Sequence, residues 1–251
     1  MPKFFVKENQ IKNNKIEIIG EDVNHIINVL RMRNGEILKV CNRDTGENYL
    51  VKIINAQSNS IICDIQEKIN DTAESNINIT LYQGLPKFEK MELIIQKNTE
   101  VGVNEIVPVV MERTVVKLDE KQSNKKLERW QKIAEIASKQ SQRDRIPKVD
   151  NIIKMKFMYE KLNLEEYDAI LVAYENEKKT LLKEELKKLQ KAEQNEYKIA
   201  IIIGPEGGIA EGEIEMLQKI GAKCVSLGKR ILRTETAGII MAGNIFYELE
   251  G

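Results

Sequence analysis

The sequence has little of what would mark a metal centre or a disulfide framework. It holds one histidine, His25, and three cysteines, Cys41, Cys63 and Cys224, widely spaced and with no CxxC pair. That set argues against a zinc site and for reduced thiols, so the expectation is a cytoplasmic chain with no metal. An excess of one charge is missing too. The 39 basic and 39 acidic side chains cancel, so any charge argument must be local. No apolar run approaches the ~18–20 residues of a membrane helix, and the opening MPKFFVKENQ lacks the continuous apolar core of a secretory signal. Aromatic residues are sparse at 5%, yet a hydrophobic content of 42% supports a core. At roughly 100–200 residues per domain, 251 residues make one large or two ordinary domains.

Two rhythms divide the chain. Up to about residue 70, short segments alternate or run apolar between turn signals: FFV (4–6), KIEII (15–19), EILKVCN (36–42), NYLVKII (48–54) and SIICDIQEK (60–68). One helix interrupts them, DVNHIINVLRM, with Val23, Ile26, Ile27 and Leu30 at helical spacing. This reads as a small β-barrel-like module over 1–72, closed by the polar stretch NDTAESN (70–76). From 73 to 251, strands alternate with helices. Strands are expected at INITLYQGL, EIVPVVM, DAILVAYE (168–175), YKIAIIIG and AKCVSLG. Helices are expected at EKMELIIQKNTEVGV, KKLERWQKIAEIASKQ, KKTLLKEELKKLQKAE (178–193), EIEMLQKI and TETAGIIMAGNIFYELE. Alternation of this kind predicts an α/β domain with a mostly parallel, helix-covered sheet.

The stretch IIIGPEGGIAEGEIE (201–215) places three glycines, Pro205 and Glu206 between a strand and a helix. Such a junction brings backbone N–H groups to a ligand at the carboxyl ends of strands, although many glycine-rich turns are only turns. It is not a P-loop, since no Lys follows Gly207 or Gly208, and it does not fit GxGxxG. Glu206, with Glu211, Glu213 and Glu215 on the next helix, suits a helix N-terminus but repels a phosphate. A ligand with neutral or cationic parts fits better. A second stretch, VSLGKRILRTETAGI (225–239), ends another buried strand and offers Arg230, Arg233, Thr234 and Glu235 before an apolar helix. Thr234 is explained as an N-cap. Arg233 has no such structural explanation, and its guanidinium can hold an oxygen-rich group bidentately. If the two strands are neighbours, their loops share one pocket.

GPEGGIAEGEIE followed by LGKRILRTETA resembles the paired signatures of the SPOUT methyltransferases, and specifically the 16S ribosomal RNA uridine-N3 methyltransferases. HIINVLRMRNGE, LPKFEKMELIIQKNTEVGVNEIVP and QSQRDRIP match family segments in the same order, so the resemblance covers nearly the whole chain. It implies an N-terminal PUA-like RNA-binding barrel and a C-terminal SPOUT α/β domain with a trefoil knot, working as a homodimer on 16S rRNA within the small ribosomal subunit. It implies S-adenosyl-L-methionine as cofactor, held around Tyr174, Glu175, Ile203, Gly204, Glu206, Gly207, Gly208, Leu227, Gly228, Arg230, Ile231 and Leu232. On that reading the glycines let backbone approach the cofactor. Arg233 is expected to stabilise charge on the uracil oxygens as the N3 proton leaves, and Glu235 to orient Arg233 or to accept that proton.

Residues 121–148 carry nine Lys and Arg against three acids. Within that segment Arg143, and elsewhere Arg31, Arg33, Lys87 and Lys90, are the expected RNA contacts. His25 is expected to be structural or RNA-facing. The sequence departs from the family pattern at Lys3, Val101, Lys139, Gln142 and Ala210, which puts helix capping and RNA grip in question. Two alternatives stay open: a SPOUT enzyme acting on another RNA or atom, and a non-catalytic RNA-binding assembly factor; a third, a nucleotide-dependent enzyme, is weakened by the missing P-loop.

Overall fold

The computed structural model describes residues 3–70, 72–190 and 195–250. The chain divides into two compact units. One comprises the residues through Glu74 together with Ser138–Ile146, and the other Ser75–Ala137 and Pro147 onward. The second segment of the first unit was not anticipated by a single boundary after residue 72.

In the first unit, strands β1 (Lys3–Val6), β2 (Ile11–Lys12) and β3 (Lys15–Ile19) precede a short helix α1 (Glu21–Asn24), which continues as a π-helical turn over His25–Val29. Strands β4 (Ile37–Asn42), β5 (Asn48–Ala56) and β6 (Ser60–Ile69) follow. They form a six-stranded sheet in the order β1-β4-β5-β6-β3-β2, antiparallel except for the β1–β4 pair. Period-2 alternation builds its core. Ile16 and Ile18 of β3, Leu38 and Val40 of β4, Val51 and Ile53 of β5, and Ile61 and Cys63 of β6 all point inward, with Val23 and Ile26 packed on them.

Ser138–Ile146 completes this unit through Asp144. Its carboxylate accepts from Lys3 Nζ, Asn48 Nδ2 (2.8 Å), Thr72 Oγ1 (2.9 Å) and the Ala73 N–H (2.7 Å), and the Cys41 thiol donates to its carbonyl (3.1 Å). Burial opposes the charge of Asp144, but these donors outweigh it and hold the carboxyl below its ordinary range. Glu74 closes the segment from the other side, accepting from the Arg143 guanidinium (2.6 Å) and the backbone N–H groups of Asp144 and Arg145. Two family departures have a place here. Lys3 also donates to the carbonyls of Gln142 and Arg143, and Lys139 pairs with Asp22 at 2.8 Å. Gln142 lies at φ 63°, the left-handed region that suits glycine.

The second unit runs β7 (Ile77–Gly84), α2 (Phe88–Val101), β8 (Glu105–Val110), α3 (Glu120–Gln140, its last residues in the first unit), β9 (Lys148–Val149), β10 (Ile153–Lys154), α4 (Met155–Leu164), β11 (Ala169–Ala173), α5 (Leu182–Gln190), β12 (Tyr197–Ile203), α6 (Glu211–Lys219), β13 (Lys223–Val225) and α7 (Thr234–Leu249). Residues 191–193 of the expected charged helix lie outside the described residues. Every pairing in this seven-stranded sheet is parallel, in the order β10-β8-β7-β12-β11-β13 with β9 also on β8. A strand covered on both faces reads as a continuous apolar run, and β12 (YKIAIII) is such a strand. Met158, Leu162, Ile214 and Leu217, from α4 and α6, pack with Tyr82, Val172 and Ile202 to form one core layer. On α2 and α7, which pack together, Met91, Ile94, Met241 and Ile245 are buried. The phenyl ring of Phe246 fills the space over Gly102, whose φ of 125° ends α2. Among the described residues no helix is long and apolar enough to cross a membrane.

Candidate active site

The carboxyl ends of three strands lie level. Ala173 of β11 pairs with Ile203 of β12 on one side and with Val225 of β13 on the other. Strands β12 and β13 are not direct neighbours, since β11 lies between them, and the loop after Ala173, which carries Tyr174 and Glu175, forms part of the wall. Together the three loops enclose a cleft of about 1050 Å³. All the residues assigned above to the cofactor line it, as do Arg233, Lys90 and Thr234, whereas Glu235 is not among its lining residues. Among the described residues, none hydrogen-bonds to the backbone of 229–232, and 229–231 are exposed.

Three glycines of the 204–208 loop, and Gly84 beside it, are required by the protein's own packing. A Cβ on Gly204 would lie 2.8 Å from Ile209 Cγ1, and one on Gly207 3.1 Å from Arg113 Cβ. Gly208, at φ 73°, has the Glu175 carboxylate where its Cβ would go. Gly84, at the end of β7, touches the same loop: its Cβ would fall 2.5 Å from Pro205 N and Cδ. Thr234 does not cap α7 with its side chain, as the sequence had suggested. Arg233 holds the cap position, and the Thr234 hydroxyl donates to the Gly204 carbonyl (2.7 Å) while accepting from Gln83 Nε2 (2.9 Å). The start of α7 is thereby tied to the ends of β12 and β7. At α6, where Ala210 offers no hydroxyl, Glu213 reaches back to the Ala210 N–H (3.2 Å) and also accepts from the Glu112 N–H (2.8 Å).

Charge gathers at one rim. Lys90 Nζ lies 3.3 Å from Glu206 Oε1 and 3.2 Å from Glu235 Oε2, and the Lys87 N–H donates to the same Glu206 oxygen at 3.1 Å. Burial works against the Glu206 charge, but the backbone N–H groups of Glu206 and Lys87 and the Lys90 ammonium outweigh it, holding the carboxyl below its ordinary range. Arg233 is different. Its side chain is 81% exposed, and its nearest carboxylate oxygen, Glu235 Oε1, is 4.0 Å away. On the other side of the loop, Arg113 Nη1 donates to the Gly207 carbonyl at 3.1 Å.

Of the expected RNA contacts, Arg31, Arg33 and Lys87 are exposed, Arg31 at φ 57°. Lys90 is half-buried in the carboxylate bridge just described. Arg143 is only 4% exposed, and Glu74 takes up its guanidinium inside the first unit. A buried, paired guanidinium is not available to phosphates, so the expectation for Arg143 gives way to a structural role. His25 is exposed with its ring edge-on to Phe4 at 5.9 Å. The sequence reading missed Gln83, Gly84 and Arg113. The glycine closing the strand in YQGL was the one available signal for Gly84, while nothing local distinguishes Arg113. Burial pushes the Cys41 and Cys63 thiols up to about 12, which keeps them protonated. Among the described residues no group of His, Cys, Asp or Glu is placed to hold a metal ion.

Comparison with known proteins decides the family. Residues 73–245 match the family profile described as RNA methyltransferase domain, and residues 18–66 the one described as RNA methyltransferase PUA domain. The ribosomal RNA small subunit methyltransferase E of Bacillus subtilis is 36% identical over 233 residues, 93% of this chain and 90% of that protein. The chain belongs to the ribosomal RNA small subunit methyltransferase E family. Its Mesomycoplasma hyopneumoniae relative of that name is 34% identical, over 96% of this chain and 97% of its own. Among solved structures, a family member from Neisseria gonorrhoeae bound to S-adenosyl methionine superposes with a TM-score of 0.83 at 29% identity, covering 98% of this chain and 97% of that one. A putative methyltransferase from Legionella pneumophila, in complex with the bound cofactor SAM, gives 0.82 at 28% identity over 98% and 96%.

Proposed function

We propose that this chain transfers a methyl group from S-adenosylmethionine to N3 of a specific uridine in 16S ribosomal RNA of the small subunit. The observation that carries the reading is the cleft itself: three level strand ends, the exposed loop 229–231, and the exposed Arg233 at its mouth. The residues fit the donor. Ala173, Ile203 and Val225 supply apolar lining for a purine, the loop backbone supplies hydrogen-bonding groups, and lining side chains of both signs suit a ligand that carries both charges. S-adenosylmethionine, when bound, provides an electrophilic methyl on a sulfonium.

The chain's own part is to align and to stabilise charge. As uridine N3 gives up its proton to solvent water, negative charge spreads to the flanking carbonyl oxygens, and the exposed Arg233 guanidinium is placed to meet it. Glu235 has one oxygen on Lys90 and the other toward Arg233, which favours its orienting role over proton acceptance. Arg31, Arg33 and Lys87, all exposed, contact RNA phosphates. The chain works in the cytoplasm as a knotted homodimer. In support of the dimer, Ile240 and Tyr247 are exposed one above the other on α7, and Ile231 in the preceding loop is 86% exposed, apolar surface that a second copy would cover.

The test is methyl transfer by the purified protein to unmodified small subunits, naked 16S RNA and transfer RNA, with the nucleoside identified by mass spectrometry. The expected product is 3-methyluridine from the subunit, and Arg233→Ala should lower kcat about 10²–10³-fold while leaving S-adenosylmethionine binding unchanged. A methyl on transfer RNA or at another atom would retain the fold and discard the substrate. Cofactor binding without any transfer would favour a non-catalytic assembly factor.

A further inference from the structure

Lys90 was expected to be one of several cations gripping RNA, but its surroundings give it different work. Three segments meet at its ammonium, and they are far apart in the chain: the start of α2 at 87–90, the glycine loop at Glu206, and the first turn of α7 at Glu235. Two carboxylates flank it, at 3.3 and 3.2 Å, so its charge is already matched within the protein. Without it, Glu206 and Glu235 would face each other as like charges. Glu235 in turn is the carboxylate nearest Arg233, at 4.0 Å. Lys87, a turn earlier, is exposed and uses only its backbone N–H in the same cluster. The two lysines therefore divide the work, one turned outward and one bound inward.

We propose that Lys90 is a positioning residue: it pins the Glu206 loop to the first turn of α7, the turn that Arg233 caps, and so fixes where the backbone presents Arg233 to the cleft. The kinetic part of this rests on the methyltransferase reading, while the pin itself does not.

The experiment compares Lys90→Met and Lys90→Arg in the full chain, by amide hydrogen exchange and by steady-state methylation of small subunits at several salt concentrations. In Lys90→Met, exchange should quicken at 204–208 and 233–237. Its kcat should fall about ten-fold or more, as expected when reacting groups lose alignment. The KM for the subunit and its salt dependence should stay as in the wild type, and Lys90→Arg should recover most of the rate. Should Lys90→Met fail to fold, Lys90→Gln replaces it in the same measurements. The opposite pattern would overturn the proposal: a raised KM, a salt slope shallower by about one, and unchanged kcat, which is the signature of a lost phosphate contact. Unchanged exchange at both segments would overturn it as well. If exchange quickens but the wild type methylates nothing, the pin stands and the methyltransferase reading falls.

Discussion

Asp144 in the first unit and Glu206 at the cleft are both loop carboxylates surrounded by donors, and they end in opposite situations. Asp144 is buried and saturated, with Lys3, Asn48, Thr72 and the Ala73 N–H all directed at it. Glu206 lies at a surface rim and shares Lys90 with Glu235, whose other oxygen is 4.0 Å from the exposed Arg233. The two arginines repeat the contrast. Arg143 is consumed by Glu74, whereas Arg233 is held loosely enough to serve a substrate. Charge that is fully matched and buried fixes a fold, and charge left partly unmatched at a cleft is available for chemistry.

The sharpest way to break this comparison is Asp144→Ala. It would leave the Lys3 ammonium buried without its partner, and unfolding measurements should show a loss of about 3–5 kcal/mol. The same carboxylate makes a pH prediction. Its folded value is depressed, so its contribution is present above the ordinary Asp value of about 3.9 and is lost as pH falls through the lower folded value. The stability gap between wild type and Asp144→Ala should therefore narrow below about pH 4, and a gap that stays constant would count against the hub.

Gly84→Ala tests the cleft side. A Cβ there meets backbone and ring atoms of Pro205 that cannot step aside cheaply, and overpacking of this kind costs about 1–3 kcal/mol. The glycine loop should shift and S-adenosylmethionine affinity, measured by calorimetry, should drop about ten-fold or more. The smallest effect is expected at Gln142→Gly. Relief of a left-handed residue is largely offset by the greater freedom of glycine in the unfolded chain, so stability should change by less than about 1 kcal/mol.

How much of this could be read in advance varied with the physical signal. The strands of the first unit were legible because one face is buried and alternation exposes it; β3 was placed at its observed bounds. The glycine loop was legible because turn chemistry is local. Helix α4 escaped because exposed Phe157 and Leu164 blur the spacing of buried Met155, Met158 and Leu162. Strands β9 and β10, at two residues each, carry no period at all. The strand order that inserts β11 between β12 and β13 is a non-local property, and so is the burial of Arg143. A basic segment looks the same in sequence whether its arginine faces water or a buried glutamate.

The discontinuity of the first unit has a consequence for how the chain comes into being. Synthesis proceeds from the N-terminal side, yet the carboxylate that satisfies Lys3 belongs to residue 144. When β6 has emerged, the sheet can collapse on its apolar core, but Lys3, Asn48 and the Ala73 N–H still lack their shared acceptor. The first unit reaches its final hydrogen bonding only after the Ser75–Ala137 part of the second has been made, so it is begun first and finished late. A fragment cut after residue 72 would preserve every strand of that unit and none of its Asp144 hub.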